Sequence, residues 1–202
     1  MIAIYPFSQV PPAQVFARPE EDRRDVSGAV SAIIDDVQRR GDQALIHYAR
    51  EFDGAELTAL EVPQERLEQA AETLDPQLRA ILEEAAERIR AFHRRQVRSS
   101  FLLSEEDGVI LGQKITPIDR VGLYIPGGTA AYPSSVLMNC VPAKIAGCRE
   151  IVMVSPPTCG GDVNPVILAA ARIAGVDRVF RCGGAQAVAA LAYGTETVPR
   201  VD

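Results

Sequence analysis

Residues able to bind a nucleotide or another anion are concentrated in the stretch 121–135, V-G-L-Y-I-P-G-G-T-A-A-Y-P-S-S. Strand-forming residues lead into Pro126-Gly127-Gly128, and Ser134-Ser135 open an apolar helix. A strand, a turn of small residues and a helix N-terminus can together hold an anionic ligand, because unpaired N–H groups and the helix dipole favour negative charge. The stretch is therefore a candidate nucleotide site.

The same strand-to-helix plan is repeated twice after this stretch. Residues 150–155, E-I-V-M-V-S, predict a second strand closed by Pro156-Pro157, and Asp177–Cys182 predicts a third strand that runs into Gly183-Gly184. Helices are expected from about Ser134 to Ala146, from about Asn164 to Ala174, and after Gly184. This spacing is typical of βαβ units, and short apolar strands of this kind belong to a parallel sheet covered on both faces.

Parallel sheets bind ligands at the carboxyl ends of their strands. The predicted sheet therefore places three segments along one rim: the Pro126–Gly128 turn, Ser155–Pro157 and Cys182–Gly184. Tyr124 and Gln186 also point to this rim, where a phenol can pack against a ring and an amide can both donate and accept hydrogen bonds. The rim lacks the G-x-G-x-x-G fingerprint of dinucleotide-binding folds, so the glycines could equally serve only to make tight turns.

The histidines and cysteines do not form a metal-binding pattern. His47 and His93 are the two histidines, each within a predicted helix and without a second donor at ligand spacing. The cysteines, which contain no C-x-x-C pair, are Cys140, Cys148, Cys159 and Cys182. We interpret the histidines as surface residues and the cysteines as buried free thiols.

The overall composition is that of an ordinary globular protein, with 47% hydrophobic and 24% charged residues and a formal charge of −6. The first 110 residues hold 13 basic and 21 acidic side chains and show no basic stripe, which argues against nucleic acid as a partner. No apolar run has the length of a membrane span, and the N-terminus lacks a secretory signal. We therefore expect no membrane partner and a cytoplasmic location.

The first half of the chain predicts an irregular arm over residues 1–25, followed by helices. Apolar residues at helical spacing, with start and stop signals, predict four of them. Their expected starts are Val26, Asp42 as a capping residue, Pro63, and Asp75-Pro76. We expect Phe52 on the inner side of the second helix and Phe92 on the apolar stripe of the fourth.

A short β-hairpin is predicted between the helices and the first rim stretch. The apolar runs 101–103 and 109–111 flank Asp107-Gly108, a turn signal. The predicted fold class is therefore α/β: a Rossmann-like parallel sheet with flanking helices, preceded by a mainly helical N-terminal region with a short hairpin. We expect residues 1–120 to form part of a first α/β domain and residues 121–202 to form an incomplete Rossmann-like NAD-binding domain.

Several longer motifs give the sequence a resemblance to a known family. These are R-R-G-D-Q-A-L-I-H-Y-A-R-E-F-D-G at 39–54, the stretch from residue 121 through M-N, I-V-M-V-S-P-P, and C-G-G-A-Q-A-V-A-A-L-A-Y-G-T-E-T-V-P-R-V-D. They closely resemble histidinol dehydrogenase, in the same order from end to end. The resemblance implies a zinc-containing homodimer that oxidises L-histidinol to L-histidine through an aldehyde, using two NAD+ at the end of histidine biosynthesis.

The resemblance also implies roles for individual residues. Tyr124 and Gln186 fall on NAD-contacting positions, and Phe52 with Pro126, Gly127 and Gly128 would line the same pocket. Ser134 or Ser135 would contact nucleotide or substrate. The zinc ligands and the glutamate–histidine pair that handles protons belong to a region for which this chain has no counterpart, so we expect no catalytic or metal-binding residue here and no turnover of histidinol by the chain alone.

Two other functions remain open at this point. A related zinc- and NAD-dependent dehydrogenase of another polar alcohol would share the Pro-Gly-Gly turn. A non-catalytic nucleotide-binding or dimerisation module would bind NAD, or associate with itself through exposed apolar surface, without activity.

Overall fold

The computed structural model describes residues 25–106, 108–127 and 130–202. Its helices are α1 Ser27–Arg40, α2 Asp42–Asp53, α3 Gln64–Glu72, α4 Pro76–His93, α5 Pro133–Ala146, α6 Pro165–Ala174 and α7 Gly184–Tyr193. Its strands are β1 Phe101–Glu106, β2 Val109–Gln113, β3 Arg120–Tyr124, β4 Glu150–Ser155 and β5 Arg178–Arg181. The predicted arm, except Asp25, lies outside the described residues, as do Asp107 and Gly128.

A parallel three-stranded sheet of order β3-β4-β5 forms the centre of the fold. β3 pairs with β4 from Arg120↔Glu150 to Tyr124↔Val154, and β4 pairs with β5 from Val152↔Arg178 to Ser155↔Arg181. Ile125 extends the first ladder by one hydrogen bond, from its N–H to the Val154 carbonyl at 2.9 Å. The three strands therefore end side by side, and the predicted α/β fold class is confirmed.

The outer edge of β5 is covered by an extended segment that precedes α3. Glu61 forms an antiparallel bridge with Phe180, and the N–H of Val62 donates to the Val179 carbonyl at 2.8 Å. The Arg178 guanidinium donates two hydrogen bonds of 2.8 Å to the Glu61 carboxylate. The guanidinium lowers the pKa of that carboxyl. A segment from the first half of the chain thus completes the sheet formed by the second half.

Helices cover both faces of the sheet, as its apolar strands require. One buried cluster joins β4 residues such as Ile151 and Met153 to α3, α4, α5 and α6, with Leu67 and Ile167 fully buried. A second cluster, on the alternate residues of β4, contains Leu45 of α2 and Phe180 of β5. None of the helices in the described part of the chain is long and apolar enough to cross a membrane.

Two of the predicted helix starts are confirmed at atomic detail. Asp75 caps α4, because its Oδ1 accepts from the N–H of Leu78 at 2.9 Å, and Pro76 is the first helical residue. Asn164 caps α6 in the same way, accepting from the N–H of Val166 at 2.9 Å before Pro165. A side-chain oxygen in each case satisfies an N–H group that has no partner within the helix.

The predicted capping role of Asp42 is wrong. Asp42 is the first residue of α2 rather than its cap, and its Oδ1 accepts from the Thr195 hydroxyl at 2.5 Å. Its own N–H donates to the Glu196 carboxylate at 2.7 Å, which lowers the pKa of Glu196. The loop after α7 therefore caps α2 from a distant part of the sequence.

The expected inward orientation of Phe52 and Phe92 is also wrong. Phe52 is 55% exposed and Phe92 is 63% exposed. Each lies within two residues of the C-terminal end of its helix, and each ring contacts a neighbour on its own helix: Tyr48 stacks on Phe52 and His93 meets Phe92 edge to face. The apolar stripe of each helix extends beyond the part of the helix that other elements cover. The helical period of the sequence does not reveal where that covering ends.

The predicted hairpin is confirmed as a separate two-stranded antiparallel sheet. Its strands pair from Phe101↔Gln113 through Leu103↔Leu111, with a register shift before Glu106↔Val109. Apolar residues on both faces are exposed, with Leu102 at 79% on one face and Leu111 at 64% on the other.

Candidate functional site

The carboxyl ends of the three parallel strands form one continuous rim. At the end of β3, the Tyr124 hydroxyl accepts a hydrogen bond from the N–H of Gly184, at the start of α7, over 3.2 Å. This contact reaches from one outer strand to the segment that follows the other. The predicted proximity of Tyr124 to the Gly183-Gly184 turn is therefore present in the structure.

The turn after β3 lies directly against the end of β4. A Cβ placed on Gly127 would lie 3.2 Å from the Ser155 hydroxyl oxygen and 3.2 Å from the Pro156 carbonyl oxygen. These distances are tighter than ordinary carbon–oxygen contacts, so a side chain at position 127 would require its neighbours to shift by a few tenths of an ångström. Glycine at this position permits the close approach of the two segments.

The segment after β5 is packed just as closely on the other side of Pro156. A Cβ on Gly183 would come within 2.5 Å of the Pro156 ring. Gly184 adopts a φ of +64°, and a Cβ there would lie 2.6 Å from Gln186 Oε1. The backbone at the start of α7 thus takes a conformation and a proximity that only glycine allows at low cost.

Gln186 and Ser155 are buried at this rim without complete hydrogen bonding. Gln186 is 2% exposed and Ser155 is fully buried. Neither Gln186 Oε1 nor Ser155 Oγ has a hydrogen-bond partner among the residues that the structure describes. Buried polar atoms are normally paired, since an unpaired one costs about 1–3 kcal/mol. The ends of β4 and β5 therefore each carry a buried polar group that a bound molecule could pair.

The segment containing Phe52 approaches the rim from α2. Cys182 directly follows β5, and the pKa of its thiol is raised to about 12 by burial and then by the nearby carboxylates of Asp53 and Asp42. Asp53 carries a buried Oδ2 without a partner among the described residues, and burial raises its own pKa. Phe52, next to Asp53, presents an exposed ring stacked on Tyr48 with centroids 5.3 Å apart.

The remaining predicted site residues are not joined to this group by any described contact. Pro126 is exposed on the turn, and Gly128 lies outside the described residues. Ser134 is exposed and Ser135 is half-buried in the first turn of α5, where the N–H of Ser135 donates to the Tyr132 carbonyl. Their roles stay predictions.

Arg181, the last residue of β5, uses its guanidinium in hydrogen bonds within the protein. Arg181 donates from Nη1 to the carbonyl oxygens of Ala59 and Glu61, both at 3.1 Å. Its Nε also faces the Asp162 carboxylate at 3.5 Å. The guanidinium thus fixes the segment that covers β5. It also lies beside the carboxylate of Asp162.

Donor groups for a metal ion are not gathered in the described ranges. Within residues 25–106, 108–127 and 130–202, no three side chains of histidine, cysteine, aspartate or glutamate are placed to hold a metal ion. His47 instead faces Glu51 of its own helix at 3.3 Å, and His93 contacts Gln96. The donor set that zinc requires does not fit this part of the molecule.

Two residues of the site were not among those predicted from the sequence. Ser155 was placed on the rim only as part of a segment, although a lone hydroxyl ending the apolar run E-I-V-M-V could have singled it out. Asp53 gave no comparable signal, because acidic residues are common at helix ends and its burial depends on tertiary packing.

Comparison with known proteins assigns this arrangement to a family. The model of the family described as histidinol dehydrogenase matches residues 16–202. Histidinol dehydrogenase from Pseudomonas savastanoi pv. phaseolicola is 57% identical over 180 residues, which cover 88% of this chain and 40% of that protein. The protein of the same name from Geobacter sulfurreducens is 53% identical over 193 residues, covering 94% and 45%.

A solved structure agrees with these sequence matches. The crystal structure of histidinol dehydrogenase from Elizabethkingia anophelis superposes with a TM-score of 0.87 at 34% identity, covering 92% of this chain and 43% of that one. The present chain thus spans less than half the length of the relatives it matches.

Proposed function

Because this chain belongs to the histidinol dehydrogenase family, an oxidoreductase family of histidine biosynthesis, we propose that it supplies part of the NAD+ site for the oxidation of L-histidinol to L-histidine. The observation that carries this proposal is the rim of closely packed glycines, where Tyr124 accepts a hydrogen bond from Gly184 and Gly127 lies against Ser155. Gln186 lies against Gly184 at the same rim. NAD+ would supply the hydride acceptor, two molecules being consumed in passing from alcohol through aldehyde to acid.

The residues of the rim fit a dinucleotide in their chemistry. Tyr124 is 41% exposed and offers a ring face against which a base, nicotinamide or ribose can pack. Gln186 Oε1 offers a buried acceptor that is unused among the described residues. Gly127 and Gly184 let the backbone approach a ligand where side chains would block it. Phe52, Pro126 and Gly128 would line the same pocket, and Ser134 or Ser135 would contact nucleotide or substrate.

Zinc does not fit the described residues, and no proton or hydride step is assigned to a metal here. We propose that the metal ligands and the proton-handling residues come from polypeptide outside these 202 residues. The 202-residue chain alone would then not turn over L-histidinol. Zinc-dependent NADH formation from L-histidinol by this chain would contradict that part of the proposal.

Calorimetric titration of the 202-residue chain with NAD+ tests the NAD+ site. Binding in the micromolar-to-millimolar range is expected, and replacing Tyr124 by Ala should weaken it. A matched control is Tyr193→Ala, which removes a tyrosine that is 54% exposed near the end of α7, away from the rim. Absence of binding at millimolar NAD+, or equal affinities for the two variants, would count against the proposal.

We further propose that the protein works as a cytoplasmic homodimer. The exposed apolar hairpin supports association with further protein, because faces this apolar are seldom left in water. We also propose the division into units 1–120 and 121–202, in which α1–α4 of the first unit pack on the two faces of the sheet of the second.

A further inference from the structure

Charged side chains of alternating sign form a row across the amino ends of the sheet strands. Arg120 begins β3 and pairs in register with Glu150, which begins β4. Arg120 Nε donates to the Glu150 carboxylate at 2.5 Å, and Arg178 Nη1 lies 4.0 Å from the other oxygen of that carboxylate. Arg178 also donates to Glu61 with two hydrogen bonds of 2.8 Å. The row therefore runs from β3 to the segment that covers the outer edge of β5.

The two guanidinium groups of this row also hold a segment that follows α7, residues 197–202, which we call the strap. Arg178 Nη2 donates to the Thr197 carbonyl oxygen at 3.1 Å. Arg120 Nη1 donates to the Arg200 carbonyl oxygen, also at 3.1 Å. The strap therefore extends from β5 to β3, with one guanidinium at each end.

The β3 end of the strap makes further close contacts. The N–H of Asp202 donates to the Arg120 carbonyl at 3.0 Å, and the N–H of Arg120 donates to the Asp202 carboxylate at 3.1 Å. The N–H of Val201 donates to the Leu191 carbonyl at 2.8 Å. A Cβ placed on Gly122 would lie 2.9 Å from Leu191 and 3.1 Å from Val201. The strap thus packs closely on both β3 and α7.

The carboxylates of the row determine how well the guanidinium groups can hold the strap. An arginine side chain loses much rotamer freedom when it is fixed, and a carboxylate fixes it better than a carbonyl oxygen does, because the hydrogen bond joins two opposite charges. Glu150 is the carboxylate partner of Arg120, and Glu61 is the bidentate partner of Arg178. All four side chains are partly shielded from solvent, so water and salt screen their charges incompletely.

We propose that Glu150 and Glu61 are positioning residues for the strap, Glu150 holding its β3 end through Arg120 and Glu61 holding its β5 end through Arg178. Loss of either carboxylate charge loosens the guanidinium beside it and the end of the strap that this guanidinium contacts. The strap contributes the fully buried Val198 to the second apolar cluster. The charges at the amino ends of the strands therefore control how firmly that cluster is covered.

Amide hydrogen exchange measured by NMR on the 202-residue chain tests this inference. The variants are Glu150→Gln and Glu61→Gln, each of which keeps the shape of the side chain and removes its charge. The control is Glu68→Gln, because Glu68 of α3 faces Arg172 of α6 at 4.0 Å in an exposed ion pair away from the strap. Urea unfolding gives the global stability of each variant, so that local opening of the strap can be separated from global unfolding.

Glu150→Gln should speed exchange of the Val201 amide about twofold to tenfold, the range for losing one partly exposed hydrogen bond. It should leave the Val198 amide, which donates to Thr195 Oγ1 near the β5 end, almost unchanged. Glu61→Gln should give the reverse pattern, and Glu68→Gln should change neither amide. In the parent chain, about 1 M NaCl should speed exchange of both strap amides relative to those of β4, because salt screens the row.

Two results would overturn the inference. The first is unchanged exchange of the strap amides in both variants and in high salt. The second is equal acceleration at both ends of the strap in both variants, matched by an equal loss of global stability. That result would show that the carboxylates stabilise the sheet as a whole and do not position the strap.

Discussion

The hydroxyl oxygen of Tyr124 lies 3.2 Å from the backbone nitrogen of Gly184, so a side chain at the end of β3 occupies an N–H group at the start of α7. The Tyr124 side chain thus links the end of one outer strand to the segment that follows the other. It therefore ties together the two outer segments of the rim and fixes the height of the Tyr124 ring above it.

Replacing Tyr124 by Phe keeps the ring and removes the acceptor for the Gly184 N–H. Since the site is partly open to water, we expect a loss of about 0.5–1 kcal/mol in the free energy of unfolding and a weaker affinity for NAD+. Urea unfolding and calorimetry measure the two effects. Tyr193→Phe, on the same helix as Gly184, should change neither quantity, and equal behaviour of the two variants would show that the hydroxyl of Tyr124 is not used.

Replacing Gly184 by Ala should displace the Gln186 side chain. The positive φ costs a non-glycine residue about 1–2 kcal/mol, and the new Cβ would lie 2.6 Å from Gln186 Oε1, which must therefore move. Gly175→Ala is the matched control, because Gly175 has a φ of +86° and a Cβ there meets only Lys144 at an ordinary 3.5 Å. Both variants should lose stability in urea, whereas only Gly184→Ala should lose NAD+ binding. Loss of binding in both would indicate a general effect of strain.

The cysteines should differ sharply in their reactivity. Burial raises the pKa of Cys140 and of Cys182 to about 12, so at pH 8 both remain protonated and shielded, whereas Cys159 is exposed. A disulfide reagent at pH 8 should modify Cys159 first and leave Cys140 and Cys182 unmodified until the protein is denatured. Peptide mass spectrometry identifies the modified residues. Native-state labelling of Cys182 as fast as that of Cys159 would contradict its position at the end of β5.

The Glu61–Arg178 pair should make stability depend on acid pH. Because hydrogen bonding to Arg178 lowers the pKa of Glu61 in the folded state, the stabilisation is fully present above the ordinary glutamate pKa of 4.5 and is lost as pH falls through the lower folded value. Both side chains are partly exposed, so Glu61→Gln should cost no more than about 1 kcal/mol at pH 7 and less at pH 3. Urea unfolding at the two pH values measures this.

Glu72→Gln is the control for the acid-pH measurement. Glu72 is an exposed residue at the end of α3 and forms no ion pair among the described residues. Its replacement should not alter the pH dependence. If the difference between the parent chain and Glu61→Gln were the same at both pH values, the Arg178 contact would not be what stabilises the carboxylate.

The elements that could be predicted from the sequence are those whose signals are local. The apolar run 150–155 gave the bounds of β4, and Asn164-Pro165 gave the start of α6, because a capping oxygen and a fixed proline φ act within a few residues. The rim followed from the rule that parallel strands share one carboxyl edge.

The features that could not be predicted depend on distant residues. Asp42 looked like a helix cap, but its partners Thr195 and Glu196 are more than 150 positions away. The close packing of Gly127 against the Ser155 hydroxyl also joins two segments that are separate in the sequence. Periodicity likewise cannot show where a covering surface stops, and this is why Phe92 was placed inside.

The pairing of residues 60–62 with β5 has a consequence for synthesis of the protein. Glu61 and Arg178 are 117 positions apart, so the segment before α3 leaves the ribosome long before its partner strand does. Until β4 emerges, α1–α4 have no central strand against which to bury Leu45 or Leu67. The nascent chain must therefore pass through a stage with exposed apolar helices, at which it is prone to aggregate and chaperones can bind it.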